Sequence, residues 1–326
     1  MVDVAKRAGV ALRTVSRVVN AAPNVAPDLV ERVQAAIDEL GYRPDEQARQ
    51  LRRGVSGTIG VVARDVTGGN PIFREIEMVA RRAGLMVLAA STEDDERLEH
   101  QVIMSMVSRR VDGIIFEPIG NTHDYLGPEI AAGMAFAAID RPVAGADIDC
   151  VRSDNIQGIQ LAWEHLRSYG HRRIAYIGDD ERIFTGHERA QTFRTLDQNH
   201  GSAIDGEELV FTGPPTVERV RSVLAHVLDS PHPPSAILTG NGLTTFEVLR
   251  VLATRSVPRP ALLGFDDIPL ADLLQPGLSV IAQNAPLIAE RAVTLLQARI
   301  ADRDRPTTAE IIPVSLIARG SGETAP

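Results

Sequence analysis

The chain has 326 residues, 44% of them hydrophobic and 4% aromatic, with a net charge of −9; that length predicts two or three domains whose cores are built from Ala, Val, Leu and Ile. A single cysteine, Cys150, excludes an internal disulfide framework and argues against a cysteine-based zinc site. No basic segment followed by an apolar stretch opens the chain, and no run of 18 apolar residues occurs, so neither an export signal nor a membrane span is expected and the expected location is the cytoplasm. Through Arg53 there are nine basic and seven acidic residues, a net +2, which leaves −11 for the rest. A slightly basic head on an acidic body suits a head that meets nucleic acid and a body that avoids it.

The head predicts three helices. The first spans Asp3 to Ala8 and stops at Gly9-Val10; the second runs from Leu12 to about Asn20, with Val15, Val18 and Val19 on one face. The third runs from Pro27 to Leu40, with Leu29, Val33, Ile37 and Leu40 at helical spacing, Pro27 in its first turn and Gly41 at its end. Two short helices about a glycine turn, with a third behind, describe a helix-turn-helix, whose second helix enters the DNA major groove. Leu12, Arg13, Thr14, Ser16, Arg17 and Asn20 are then the outward positions, arginine suiting guanine edges and hydroxyls and amides suiting phosphates. The same pattern is also that of an ordinary solvated amphipathic helix.

The stretches "DVAKRAGV", "TVSRVVN" and "ELGYRP" resemble, in order and spacing, the DNA-binding head of the lactose-repressor/galactose-repressor family. By that resemblance Leu12, Arg13 and Arg17 hold base-reading positions, and Thr14, Ser16 and Asn20 hold phosphate-contacting ones. The family's serine cap on the recognition helix is replaced by Ala11, and its serine or threonine cap on the third helix by Ala26. The threonine that usually precedes the first helix is missing, which suggests an upstream initiation codon. Each lost cap costs about 1 kcal/mol, so the head is expected to be loosely folded when free. The following "DEQARQLRRG" matches the family's hinge helix, with Ala48 and Leu51 at the positions that wedge into the minor groove; an ordinary basic linker is the alternative.

From Thr58 short apolar runs alternate with helical stretches in two series. The first holds "TIGVVA", Ile72–Ala83, "LMVLAA", Arg97–Val107, "VDGIIF", an Ala-rich helix and "AFAAID". The second holds Ile156–Tyr169, "RRIAYIGD", Glu188–His200, "ELVFTG", Val217–Leu228, "SAILTG", Leu243–Ala253 and "PALLGFDD". Such alternation predicts parallel sheets covered by helices, two lobes, and a ligand cleft at the strands' carboxyl ends. No dinucleotide fingerprint, Walker A loop or nucleophile elbow occurs. His171, in "YGHRRI", suits a turn better than a catalytic base, and His226 and His232 lack a third metal ligand.

"RRVDGIIF", "IDRP", "SDNIQG", "YGHRRIAYIG" and "LLGFDD" extend the resemblance to the family's regulatory core, which is similar to sugar-binding periplasmic proteins. The resemblance implies an α/β chain with an all-α helix-turn-helix head over 1–44, a hinge over 45–54, and a two-lobed core with parallel sheets over 55–320. Its first lobe would take about 57–156 and 285–312, its second about 157–284 and 313–320. Arg189, Asn241, Asp266 and Gln283 match polar positions of the family's cleft, and Phe73 its apolar wall. Gln283 suits a lobe-bridging contact equally well. "NGLTTFE" and Thr192 depart from the family pattern, which leaves the ligand's identity and size open. Ligand-controlled repression by a homodimer on a pseudo-palindromic operator is the implied function, with a sugar-like effector, no cofactor and no membrane partner. A sugar-binding transport protein whose head does something else is the alternative.

Overall fold

Gly9 stops the first helix because the chain must turn through a left-handed conformation there. In the computed structural model, which describes residues 1–19, 22–42, 55–67, 71–120, 122–200, 209–255 and 259–326, α1 (Val2–Ala8) closes at Gly9 with φ +62°. Next come α2 (Leu12–Val19) and α3 (Pro27–Leu40), the latter opened by Pro27 and closed by left-handed Gly41. Val4, Ala5, Ala8, Val15, Val33 and Ala36 are the buried core of this head. Leu40, expected on the apolar face, is 44% exposed, and Ala36 is buried instead. Arg32 of α3 donates to the Ala8 and Gly9 carbonyls at 2.7 and 3.1 Å and so pins the turn to the third helix. Ala26 gives α3 no side-chain cap.

Residues 58–326 form a second unit, distinct from residues 1–57. Its first half supplies β1 (Thr58–Ala63), α4 (Pro71–Arg82), β2 (Met86–Ser91), α5 (Glu96–Ser108), β3 (Gly113–Phe116), the short α6 (Gly127–Ala131), β4 (Ala135–Ile139) and β5 (Asp149–Ser153). Its second half supplies α7 (Asn155–Ser168), β6 (Ile174–Ile177), α8 (Phe184–Asn199), β7 (Val210–Phe211), α9 (Val217–Leu228), β8 (Ala236–Thr239), α10 (Gly242–Leu252), β9 (Ala261–Phe265) and β10 (Ser279–Ala282). The chain ends through α11 (Ala285–Ala301), β11 (Ala309–Ile312) and β12 (Ser315–Ile317). Two six-stranded sheets result, ordered β11-β5-β4-β3-β1-β2 and β12-β10-β9-β8-β6-β7. All pairings are parallel except β10 with β12. Strands buried on both faces read as continuous apolar runs, as "GIIF", "AFAAI" and "AILT" do.

The chain passes between the sheets three times: from β5 into α7, from β10 into α11, and from β11 into β12. Hydrogen bonds link these passages. Asp154 N–H donates to the Ile312 carbonyl at 2.9 Å, Val314 N–H to Gln157 Oε1 at 3.1 Å, and Ser153 Oγ to Gln283 Oε1 at 2.5 Å. Three details differ from the sequence reading. Strand β5 does not stand out in the sequence because "DCVRS" carries only two apolar residues, yet it is almost wholly buried. The Ala-rich helix is reduced to Gly127–Ala131. Helix α8 begins at Phe184 rather than Glu188, without a side-chain cap to announce it.

Candidate functional site

The outward residues of α2 divide by burial. Leu12, Arg13 and Arg17 are exposed, while Thr14 and Ser16 are half-buried. Arg17 Nη2 donates to the carbonyls of Pro23 and Asn24 at 2.9 and 3.1 Å, which ties the recognition helix to the loop before α3. Asn20, Ala48 and Leu51, with the whole 45–54 segment, lie outside the described residues.

In the second unit the strand ends of the β6–β10 sheet carry a connected polar group. Arg189, on α8 and 4% exposed, donates to Asn155 Oδ1 at 2.8 Å and to the Gly240 carbonyl at 2.7 Å, its guanidinium lying 3.7 Å from the Phe265 ring centroid. Asn241 caps α10 through Thr244 N–H at 2.7 Å and donates its amide to Asp179 Oδ2 at 2.8 Å. Asp266 accepts from Gly242 N–H at 3.2 Å and from Gln283 Nε2 at 2.6 Å; its φ of +74° places it in the left-handed region just past β9. Gln283 therefore bridges Asp266 at the end of β9 and Ser153 at the end of β5, the lobe-bridging contact. Arg189, Asn241, Asp266 and Gln283 thus meet around the ends of β6, β8, β9 and β10. Phe73, near the start of α4 at the end of the other sheet, is half-buried and packs in part on that lobe's core.

The facing sheet contributes charges. Past β1, Arg64 Nε sits 2.5 Å from Asp94. Past β3 and β4, Arg141 spans Glu117 at 3.2 Å, Asp140 at 3.2 Å and the Pro118 carbonyl at 3.1 Å. Glu117 also accepts from Arg64 N–H at 3.3 Å, so one carboxylate ties the ends of β1, β3 and β4. Burial, with Asp140 alongside, pushes the Glu117 carboxyl up to about 7 despite the pull of Arg141. Near the passage from β5 into α7, Arg152 bonds both oxygens of Glu188 at 3.2 and 3.0 Å and lies 5.3 Å from the centroid of the Phe184 ring.

Sequence reasoning passed over Asp179, Asn155 and Glu188. Asp179 lies two residues past β6, and burial raises its pKa against the opposing pull of the Asp180 backbone N–H and, less strongly, of the charges of Arg64 and Arg141 on the other lobe. An acidic residue two positions beyond a buried strand was the available sign. Tyr176 explains Gly178 and Gly240: a Cβ at either would lie 2.6 or 2.4 Å from its hydroxyl. His171 is a structural joint, its Nε2 within 2.8 Å of the Thr324 carbonyl and its Nδ1 within 2.8 Å of Ser235 Oγ, with burial lowering its pKa. No group of three or more His, Cys, Asp or Glu placed to hold a metal occurs among the described residues, and no helix among them is long and apolar enough to cross a membrane.

A three-helix head and a two-sheet body with polar groups at facing strand ends define a DNA-binding protein joined to a binding-protein core. Residues 1–45 match "Bacterial regulatory proteins, lacI family", and residues 163–322 match "Periplasmic binding protein-like domain". The chain is 30% identical over 298 residues to the HTH-type transcriptional regulator GalS of Salmonella typhimurium, covering 90% of this chain and 87% of that protein. It is also 30% identical to the ribose operon repressor of Escherichia coli, covering 92% of each. A solved Lac repressor dimer, bound to operator and an anti-inducer, shares the fold with a TM-score of 0.82 at 22% identity, over 99% of this chain and 98% of that one. The chain belongs to the lacI family of bacterial regulatory proteins and is a DNA-binding transcriptional regulator.

Proposed function

We propose that the protein is a cytoplasmic repressor that binds a pseudo-palindromic operator as a homodimer and is controlled by a sugar-like effector between its lobes. The supporting observation is the joining, in one chain, of a helix-turn-helix head to a sheet around whose strand ends Arg189, Asn241, Asp266 and Gln283 gather. In this reading Leu12, Arg13 and Arg17 read bases; Thr14, Ser16 and Asn20 hold phosphates; and 45–54 is the hinge, with Ala48 and Leu51 in the minor groove. Phe73 supplies the apolar face against which a sugar's C–H groups pack. Lobe 1 takes 57–156 and 285–312, and lobe 2 takes 157–284 and 313–320. The chain acts by binding and not by catalysis. The effector binds two lobe arrangements with unequal affinity, and that difference is the whole of its leverage on DNA.

The test is selection of sites from sheared genomic DNA by the purified protein, followed by sequencing. Recovery of a two-fold-related sequence is the expected result. Recovery of unrelated fragments, both with and without cell extract supplying the effector, would remove the operator-binding reading and favour a binding protein with an inactive head.

A further inference from the structure

Resting on the effector reading above, we infer that the effector is a free sugar bearing no phosphate or carboxylate, and that Asp179 is a further residue that accepts hydrogen bonds from its hydroxyls. The argument begins with what the cleft's cations are doing. Arg64 is paired with Asp94, Arg141 is divided among Glu117, Asp140 and a carbonyl, and Arg152 is held by both oxygens of Glu188. An anion binding at any of these three would have to dismantle its pair. Arg189 is held only by neutral oxygens, those of Asn155 and Gly240; Arg219, whose Nη1 donates to the Pro214 carbonyl, lies close enough to feel Asp179 and Asp180.

Two carboxylates stand near Arg189 without a cationic hydrogen-bond partner. Asp179 takes its hydrogen bonds from Asp180 N–H at 2.9 Å and Asn241 Nδ2 at 2.8 Å; Asp266 takes its own from Gly242 N–H and Gln283 Nε2. Each carboxylate oxygen has a second lone pair beyond the bond it already accepts. This wall of the cleft therefore asks for donors. A sugar hydroxyl supplies both a donor for Asp179 or Asp266 and an acceptor for Arg189. A phosphate dianion or a carboxylate supplies acceptors alone, so it would face the oxygens of Asp179 and Asp266 with oxygens and add like charge beside both. Asp179 also looks across the cleft, being close enough to feel the charges of Arg64, Arg141 and Asp94 on the other lobe.

The experiment passes a metabolite extract through anion and cation exchangers in series. Each pool is then added to the full-length protein, and thermal unfolding and operator release are followed. The neutral pool should raise the unfolding temperature and change operator binding. A response confined to the anionic or the cationic pool overturns the free-sugar inference while leaving effector control intact. Silence from all three pools overturns effector control itself, and this inference with it. The second arm uses Asp179→Asn, which keeps the shape of the side chain and an oxygen for Asn241. It should weaken binding of the neutral pool's active component by about tenfold or more. It should also narrow that component's preference over its phosphate ester. An unchanged affinity and an unchanged ratio, in a variant whose ligand-free unfolding matches the parent, would remove Asp179 from the effector's contacts.

Discussion

Arg17 braces a loop in the structure and reads a base in the proposed function. Its Nη2 braces the loop between α2 and α3 through two carbonyls, yet the residue remains exposed on the face where a base edge would lie. Arg17→Ala should cost about 1–3 kcal/mol on the operator and relax preference at one base pair per half-site, measured by binding to single-position operator variants. A uniform loss across all variants would assign Arg17 to bracing or phosphate contact alone. Glu117 offers a test by pH. Its carboxyl is raised from 4.5 to about 7 in the fold, so between those values the folded protein holds a proton that the unfolded chain has released. Stability from this group is therefore present at low pH and is lost as pH rises through that window. Glu117→Gln lacks that dependence, so the stability of the parent relative to the variant should grow by up to about 3 kcal/mol as pH falls from about 8 to about 5. Parallel stability curves for the two proteins would show that Glu117 titrates normally.

At the scale of elements, much was legible because period and punctuation agree. Helix α3 is legible to the residue, since Pro27 and Gly41 bracket a run of apolar residues at helical spacing. Strands such as "TIGVVA" stood out as apolar runs between helical stretches. Strand β5 did not: Asp149, Arg152 and Ser153 break its apolar pattern, and their partners, among them Arg299, Arg305, Glu188 and Gln283, come from far along the chain. The site divides in the same way. Arg189 and Asp266 were visible through motifs, whereas Asp179 gains its meaning only when Asn241 and the opposite lobe close around it. The bare cap at Ala26 is a local weakness with a local remedy. Its extended backbone, φ −59° and ψ 138°, is compatible with an N-cap residue, so Ala26→Ser should stabilise the head by about 1 kcal/mol. Slower amide exchange in α3 of the full-length chain would register the gain, and unchanged exchange would show that the cap is not limiting.

For the molecule as a whole, control of DNA by an effector is a coupling free energy and must be reciprocal. If the effector weakens operator binding by some factor, typically about 5–150 for such couplings, saturating operator must weaken effector binding by the same factor. Titrations of effector with and without operator should agree with titrations of operator with and without effector; a mismatch would mean that a third species takes part.

The three linked passages between the sheets bear on what such a molecule can report. Each is only a few residues long, and each is stitched to another by Asp154–Ile312, Gln157–Val314 or Ser153–Gln283. A joint fastened at three neighbouring points has essentially one axis, as a door has. One axis would carry one quantity, the angle, so under the proposed control the core could tell its DNA-reading end how far the cleft has shut but not what shut it. Discrimination among metabolites has to be completed inside the cleft, before the door moves.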